Sequence, residues 1–502
     1  MIKDILKIHD KFSIEIKQSY YSLFKRKRSI YQVITYLFIP NGLNINSQTY
    51  KKDMFYQDSR VNIRYNTPEY TLLELLSNYQ SPLHRFIEKV EGLPNKANKS
   101  QLAEIETSGK ILATVLSSAL RNSNRKTRKL CKNKASIESV NAFLENIKRV
   151  LELYRSALNQ LSEYEIETRK KNQVFFGDEY ISNTVEHQLL ILHNYILRSP
   201  SPCQVVLQNI LSFIREEQRY KEKRYYGGVS LENMNHEFII YKRSQLKKYV
   251  DSIFFLNKNI RKDGAIAEQT VFAFAAGLAM LFSTGVAFYY QQKYGNFTST
   301  FFVALVLSYM LKDRIKSLIG NLFISRAHSF YFDYKIDISN ANKHKVGSIR
   351  ENFRFVPFNK LGPKIKAFRF TDRTLHSEDD LFGEHIIQYK KKIVINPKKL
   401  GQDLKDEHLN SIVDITRFNL FRFTYNMDNP KKSYFFVKDG ELIKSEEDRV
   451  YHINIVQKFY TESGIEFKRY RVVLNRDGIK RIEKVKNDEL SRVFPRKKSW
   501  FA

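Results

Sequence analysis

The sequence predicts a multidomain membrane protein: an N-terminal all-α region, a two-helix transmembrane hairpin, and a C-terminal, mainly antiparallel β domain. Three observations predict it. Apolar residues recur every three or four positions between residues 143 and 161. Residues 270–290 carry no charge at all. From residue 330 onward the apolar period shortens to two. The length suits several cores, and 42% apolar residues with only 11 prolines exclude a disordered or fibrous chain. Two cysteines, Cys131 and Cys203, exclude a disulfide-stapled scaffold and read as free thiols.

The first expected region, residues 1–262, is helical and cytoplasmic. Phe143, Ile147, Val150, Leu151, Tyr154, Leu158 and Leu161 mark one amphipathic helix. Val185, Leu189, Leu192 and Ile196 mark a second, broken by the Ser-Pro-Ser-Pro run at 199–202, and Val206, Ile210 and Ile214 mark a third. Shorter helices are expected at 3–24, 69–79, 83–90 and 102–120. The Asn- and Tyr-rich stretch 41–68 reads as irregular or edge-stranded, and 231–260 as helix.

The second region, residues 263–329, is the expected membrane module. No signal peptide precedes it, because residues 1–20 are charged throughout. At 1.5 Å per residue, residues 270–290 cover about 30 Å, the thickness of a bilayer's hydrocarbon core. A second apolar run at 296–311 follows after a five-residue polar turn, as an antiparallel hairpin requires. Basic flanks before and after the pair place both termini in the cytoplasm of a multi-pass, bacterial inner-membrane protein. Ala273, Gly277, Ala275, Ala279, Ser283 and Ala287 form small-residue stripes along the first span, suited to a homo-oligomer with Ser283 as an interchain donor. A basic amphipathic extension follows Leu311.

The third region, residues 330–502, is expected to be β-rich and cytoplasmic. Between residues 330 and 338 the even positions are apolar or aromatic, and the odd ones include Asp333, Lys335 and Asp337. Further strands are expected at 353–356, 365–370, 386–395, 415–425, 434–438, 451–460, 467–475 and 480–485, with a helix at 403–413. Asp439-Gly440 and Asp477-Gly478 read as hairpin turns.

The net charge of +31 is spread over both halves of the chain: residues 1–270 hold 43 basic against 28 acidic residues, and residues 271–502 hold 41 against 25. The expected contacts to an anionic surface are Lys25, Arg26, Lys27, Arg28, Arg125, Lys126, Arg128, Lys129, Lys312, Arg314 and Lys316. For a tethered protein that surface is anionic lipid, with each nearby cation adding about 1 kcal/mol. An unidentified cytoplasmic protein or nucleotide is a further expected partner. Direct nucleic-acid binding is disfavoured, because no zinc-finger spacing, aromatic RNA-binding strand or helix-turn-helix pattern is present.

Chemistry is thinly marked. No phosphate-binding glycine loop, nucleophile elbow or zinc-protease motif occurs, and no cofactor or metal is expected. His187 and His193, six residues apart, fall on different faces of one helix. Asp372, His376, Glu378, Asp379, Asp380 and His385 form the densest acid and imidazole cluster, suited to an acid–base pair or to a polar turn. The function expected from these features is a cytoplasm-facing adaptor, sensor or assembly protein. The alternative is a membrane-anchored enzyme or membrane-disrupting effector with an unrecognised active site.

Overall fold

The computed structural model describes residues 2–21, 28–94, 98–131, 136–164, 168–199, 202–224, 226, 236–295, 298–327, 332–340, 343–370, 383–400, 411–461 and 464–485. In chain order the elements begin with β1 (Ile2–Ile8), β2 (Ser13–Tyr21), β3 (Ser29–Pro40), α1 (Lys52–Asp58) and β4 (Ser59–Tyr65). Seven helices follow: α2 (Leu72–Ser77), α3 (Pro82–Glu91), α4 (Lys99–Cys131), α5 (Ser136–Glu163), α6 (Thr168–Leu197), α7 (Gln204–Lys223) and α8 (His236–Asp251). Then come β5 (Asn257–Lys262), α9 (Ala265–Tyr294), α10 (Ser299–Ala327), β6 (Tyr334–Ser339), β7 (Lys345–Phe355), α11 (Pro363–Phe370) and β8 (Glu384–Ile395). The chain closes with β9 (Ser411–Asn419), β10 (Lys431–Lys438), β11 (Glu441–Asp448), β12 (Tyr451–Thr461), β13 (Gly464–Asn475) and β14 (Gly478–Val485). The chain divides into two compact units: residues 1–63, 257–400 and 410–502, and residues 64–256 with 401–409.

The first unit is built on two open sheets. One has eight strands in the order β14-β13-β12-β3-β8-β7-β6-β5, and the other has four in the order β1-β2-β9-β4. Strand β3 lies in the middle of the large sheet and is apolar on both faces, as a strand covered on both sides must be. Its Leu37 and Ile39, with Ile387 and Ile455, meet Ile14 of β2 and Phe418 of β9 between the sheets. Phe55 of α1 enters the same core and stacks on Phe353 at 4.6 Å. On the other face of the large sheet, Ile34, Tyr36, Phe38 and Val456 pack under Ile365 and Phe368 of α11. The ribbon β10–β11 stands apart as a two-stranded sheet, turned by Asp439 and Gly440 at positive φ of 53° and 87°.

The expected all-α N-terminal region is overturned by these pairings. β3 pairs with β8 and β12, and β2 pairs with β9, so the first strands belong to the same sheets as the last. The stretch 3–24, expected as helix, contains β1 and β2. Its Ile14, Ile16 and Gln18 alternate with Glu15 and Lys17, a period of two that places the first set inward. In the opposite direction, residues 365–370, expected as a strand, belong to helix α11. Of the helix expected at 403–413, residues 401–410 lie outside the described residues, and Ser411 already begins β9. The fold is a mixed α and β one.

The two-span transmembrane hairpin is also overturned. α9 and α10 lie antiparallel, with the Ser283 and Ser308 hydroxyls 3.3 Å apart and Phe272 against Gly320. Among the described residues, however, only Gln269–Tyr294 is long and apolar enough to cross a membrane. The uncharged part of α10 runs from Ser299 to Leu311 before Lys312, Asp313, Arg314 and Lys316. At 1.5 Å per residue it covers about 20 Å, too short for the hydrocarbon core. The multi-pass inner-membrane placement, the orientation derived from it and the lipid-bilayer partner fall with the second span. So do the membrane adaptor and the membrane-anchored enzyme or effector that were built on it, and the cytoplasmic partner that the orientation defined. The homo-oligomer, argued from helix association inside a bilayer, falls with the second span: Ala275 and Ala279 are buried and Ser283 finds its hydroxyl partner within the chain, while Ala273 and Gly277 stay exposed with no membrane to pair them in.

The second unit is helical. Every residue of the stripe from Phe143 to Leu161 is buried on α5, and α6 ends at Leu197, before the proline pair. Its interior is partly ionic. Arg155 reaches Glu217 through two 2.8 Å bonds and lies 3.5 Å from the Tyr220 ring centroid. Asp178, wholly buried, accepts from the Tyr220 and Tyr226 hydroxyls at 2.7 and 2.6 Å. Burial raises the Asp178 pKa, against the opposing pull of Arg155 and of the two hydroxyls.

Candidate functional site

Lys390, Lys391 and Lys392 show how a strand divides a charge cluster. Successive side chains on β8 point to opposite faces, so the triplet sends one lysine inward and two outward. The two destinations differ in chemistry.

Inward, Lys391 is 3% exposed. Its Nζ donates to Asp414 Oδ2 and Thr416 Oγ1, both at 2.6 Å, and lies 3.7 Å from Glu351 Oε1. Tyr389 donates to Glu351 at 2.7 Å. On the facing sheet Asp4, Gln18 and Asp414 occupy one cross-strand row, and Gln18 donates to Asp4 at 3.2 Å. Beside this layer lies a cavity of about 30 Å³ lined by Gln18, Thr35, Ser59, Tyr389, Lys391 and Thr416. The Ser59 hydroxyl has no hydrogen-bond partner among the described residues. The space suits a water molecule rather than a substrate.

Burial raises the Glu351 pKa above the usual carboxylate value, and Asp414 adds to this, while Lys391 and the Tyr389 hydroxyl oppose it. A folded-state pKa above the unfolded one means that the folded state holds this proton more tightly. The stability that Glu351 contributes is therefore complete below pH 4.5 and is lost as pH rises through the raised value. Glu351→Gln, which mimics the protonated acid, should accordingly gain stability relative to the parent between pH 4 and pH 8. Melting temperatures of both proteins across that range test the sign. A gap that closes as pH rises would refute it.

Outward, the lysines join a row that crosses the large sheet. Lys392 pairs with Arg350, Arg350 with Lys335, and Lys335 with Arg261, so four adjacent strands place four cations side by side. In the other direction Lys392 faces Gln32, and Gln32 faces Tyr460. The neighbouring row holds Asn352, Lys390, Ile34, Lys458 and Phe467. Arg354 lies two residues further along β7 and donates to Gln388 at 2.6 Å. Burial, then the nearby Arg354 and Lys392 charges, hold the Lys390 pKa below the usual lysine value.

Like charges directly opposite one another destabilise a sheet, so such a row costs the fold something. Carboxylates lie against Arg261 and Arg350. Asp337 pairs with Arg261 and with Lys345, and Asp263 lies 3.6 Å from Arg350. Among the described residues no carboxylate lies within ion-pair distance of Lys390, Lys392 or Lys458. Aromatic rings are interleaved instead. Lys458 Nζ lies 4.6 Å from the Tyr460 ring centroid and 5.8 Å from that of Phe467, and Lys390 Nζ lies 5.2 Å from that of Phe332.

The residues expected from the sequence are scattered. Lys25, Arg26 and Lys27 lie outside the described residues, and Arg28 is exposed just before β3. Arg125, Lys126 and Lys129 are exposed on α4, whereas Arg128 is half-buried beside Tyr195. Lys312, Arg314 and Lys316 follow the apolar part of α10. Asp372, His376, Glu378, Asp379 and Asp380 lie outside the described residues. His385 belongs to β8, where burial lowers its pKa. His187 is exposed and His193 half-buried on α6. Among the described residues no group of three or more His, Cys, Asp or Glu side chains is arranged to hold a metal. The sequence reading missed Arg350, Lys335, Arg354 and Lys458, each on a strand whose polar face was visible but whose neighbours were not. Comparison with known proteins brings no match: no protein family, no curated protein and no solved structure resembles this chain.

Proposed function

We propose that the protein binds a phosphate-rich linear polyanion on the outer face of its eight-stranded sheet. The observation that carries this reading is the row Lys392–Arg350–Lys335–Arg261, four cations in direct cross-strand register, flanked by Lys390 and Lys458 without carboxylate partners among the described residues. At about 4.8 Å between strands, the four cover about 15 Å, a length over which a polymer presents several phosphates. A polyanion would relieve the repulsion around Lys392, Lys390 and Lys458, whereas Asp337 and Asp263 already do so at Arg261 and Arg350. The overall charge of +31 favours encounter but does not locate the binding surface.

Binding of a fluorescent phosphate polymer at graded salt tests the reading. Four to five neutralised phosphates give a log–log slope of affinity against salt of about −3. Binding that is absent at low salt, or a slope near zero, would overturn it.

A further inference from the structure

We infer that the polyanion is a single-stranded nucleic acid, its phosphates held by the cationic row and its bases laid on Tyr460 and Phe332 beside it. This rests on the polyanion reading and goes one step further, because the face carries groups that phosphate alone does not need. Tyr460 is one strand away from Gln32 and two from Lys392, so ring, amide and cation follow one another along a single row. Phe332, just before β6, lies beside Lys390 with its ring centroid 5.2 Å from the ammonium. Each ring thus has an ammonium within about 5 Å, which sets a stacking surface next to a phosphate-binding group.

The amides narrow the class. Gln32 and Asn352 are half-buried on the same face, and neither side chain has a hydrogen-bond partner among the described residues. An amide offers both a donor and an acceptor, the pair of groups that a base edge displays and a phosphate chain does not. A duplex keeps its base faces stacked inside and cannot place them on a sheet. A single strand can, and base-on-ring stacking tolerates any base. The geometry therefore favours a single strand over a duplex, and a polynucleotide over a bare phosphate polymer.

The test uses the full-length protein and three probes: a labelled twelve-nucleotide thymidine strand, a labelled duplex of equal length, and inorganic polyphosphate as competitor. The single strand is expected to bind at least about tenfold tighter than the duplex. Tyr460→Ala and Gln32→Ala should each weaken single-strand binding by about tenfold while leaving polyphosphate affinity unchanged, and Tyr460→Phe should retain binding. The polyphosphate arm also reports whether each variant is folded. Duplex or polyphosphate binding as tight as the single strand, or a Tyr460→Ala protein with unaltered single-strand affinity, would overturn this inference and leave the polyanion reading standing. Failure of all three probes to bind would overturn both.

Discussion

Replacing Lys391 by methionine should lower the stability of the β unit by about 3–5 kcal/mol. The side chain is long and apolar up to its ammonium, so methionine fills most of the volume and the loss is electrostatic. It leaves Asp414, 1% exposed, with the Thr416 hydroxyl as its remaining side-chain partner in this layer. It also removes the charge that opposes the raised pKa of Glu351. An uncompensated carboxylate between two sheets either stays charged at a high desolvation cost or takes up a proton. Lys391→Met combined with Asp414→Leu should recover much of the loss, because replacing both members of a buried pair by apolar groups is far cheaper than orphaning one. Chemical denaturation of the three proteins decides it. A single variant within about 1 kcal/mol of the parent would mean that the layer contributes little.

The legible parts of this fold were those with local periodicity. The stripe from Phe143 to Leu161 fixes α5 because a helix returns each of those residues to one side within its own turns. The alternation from Tyr334 to Ile338 marks β6 for a similar reason. Local pattern says nothing about partners. That β3 pairs with β8, more than three hundred residues away, depends on non-local pairing. The same limit hid the candidate face. The Lys390–Lys391–Lys392 cluster is visible as charge, but its division into a buried ion pair and a half-buried outward row needs the registers of β7, β6 and β5. Hydropathy misled in one place. The short apolar run in α10 read as a second span because it followed a convincing first one. Its thirteen uncharged residues are too few to cross the hydrocarbon core; Ser308 is buried against α9, while most of its large apolar side chains are exposed.

Removing three cations from the sheet face should weaken polyanion binding by about a hundredfold, and removing three from elsewhere should not. Lys390→Gln, Lys392→Gln and Arg350→Gln together delete the centre of the row. Each phosphate left without its cation takes about 0.7 from the salt slope, so the combined variant should shallow it by about two. The fold should not suffer, since relief of cross-strand repulsion offsets the removal of the Arg350 pairing with Asp263. A melting temperature no lower than the parent's is the expected control.

The direct comparison is with Arg125→Gln, Lys126→Gln and Lys129→Gln, which remove the same charge from exposed positions on α4. Titration of both triple variants with one labelled twelve-nucleotide strand, at one salt concentration, separates place from net charge. The sheet variant should lose about a hundredfold in affinity and the α4 variant less than about threefold. Equal losses, or a larger loss from α4, would contradict the assignment of the binding surface to the outer face of the large sheet.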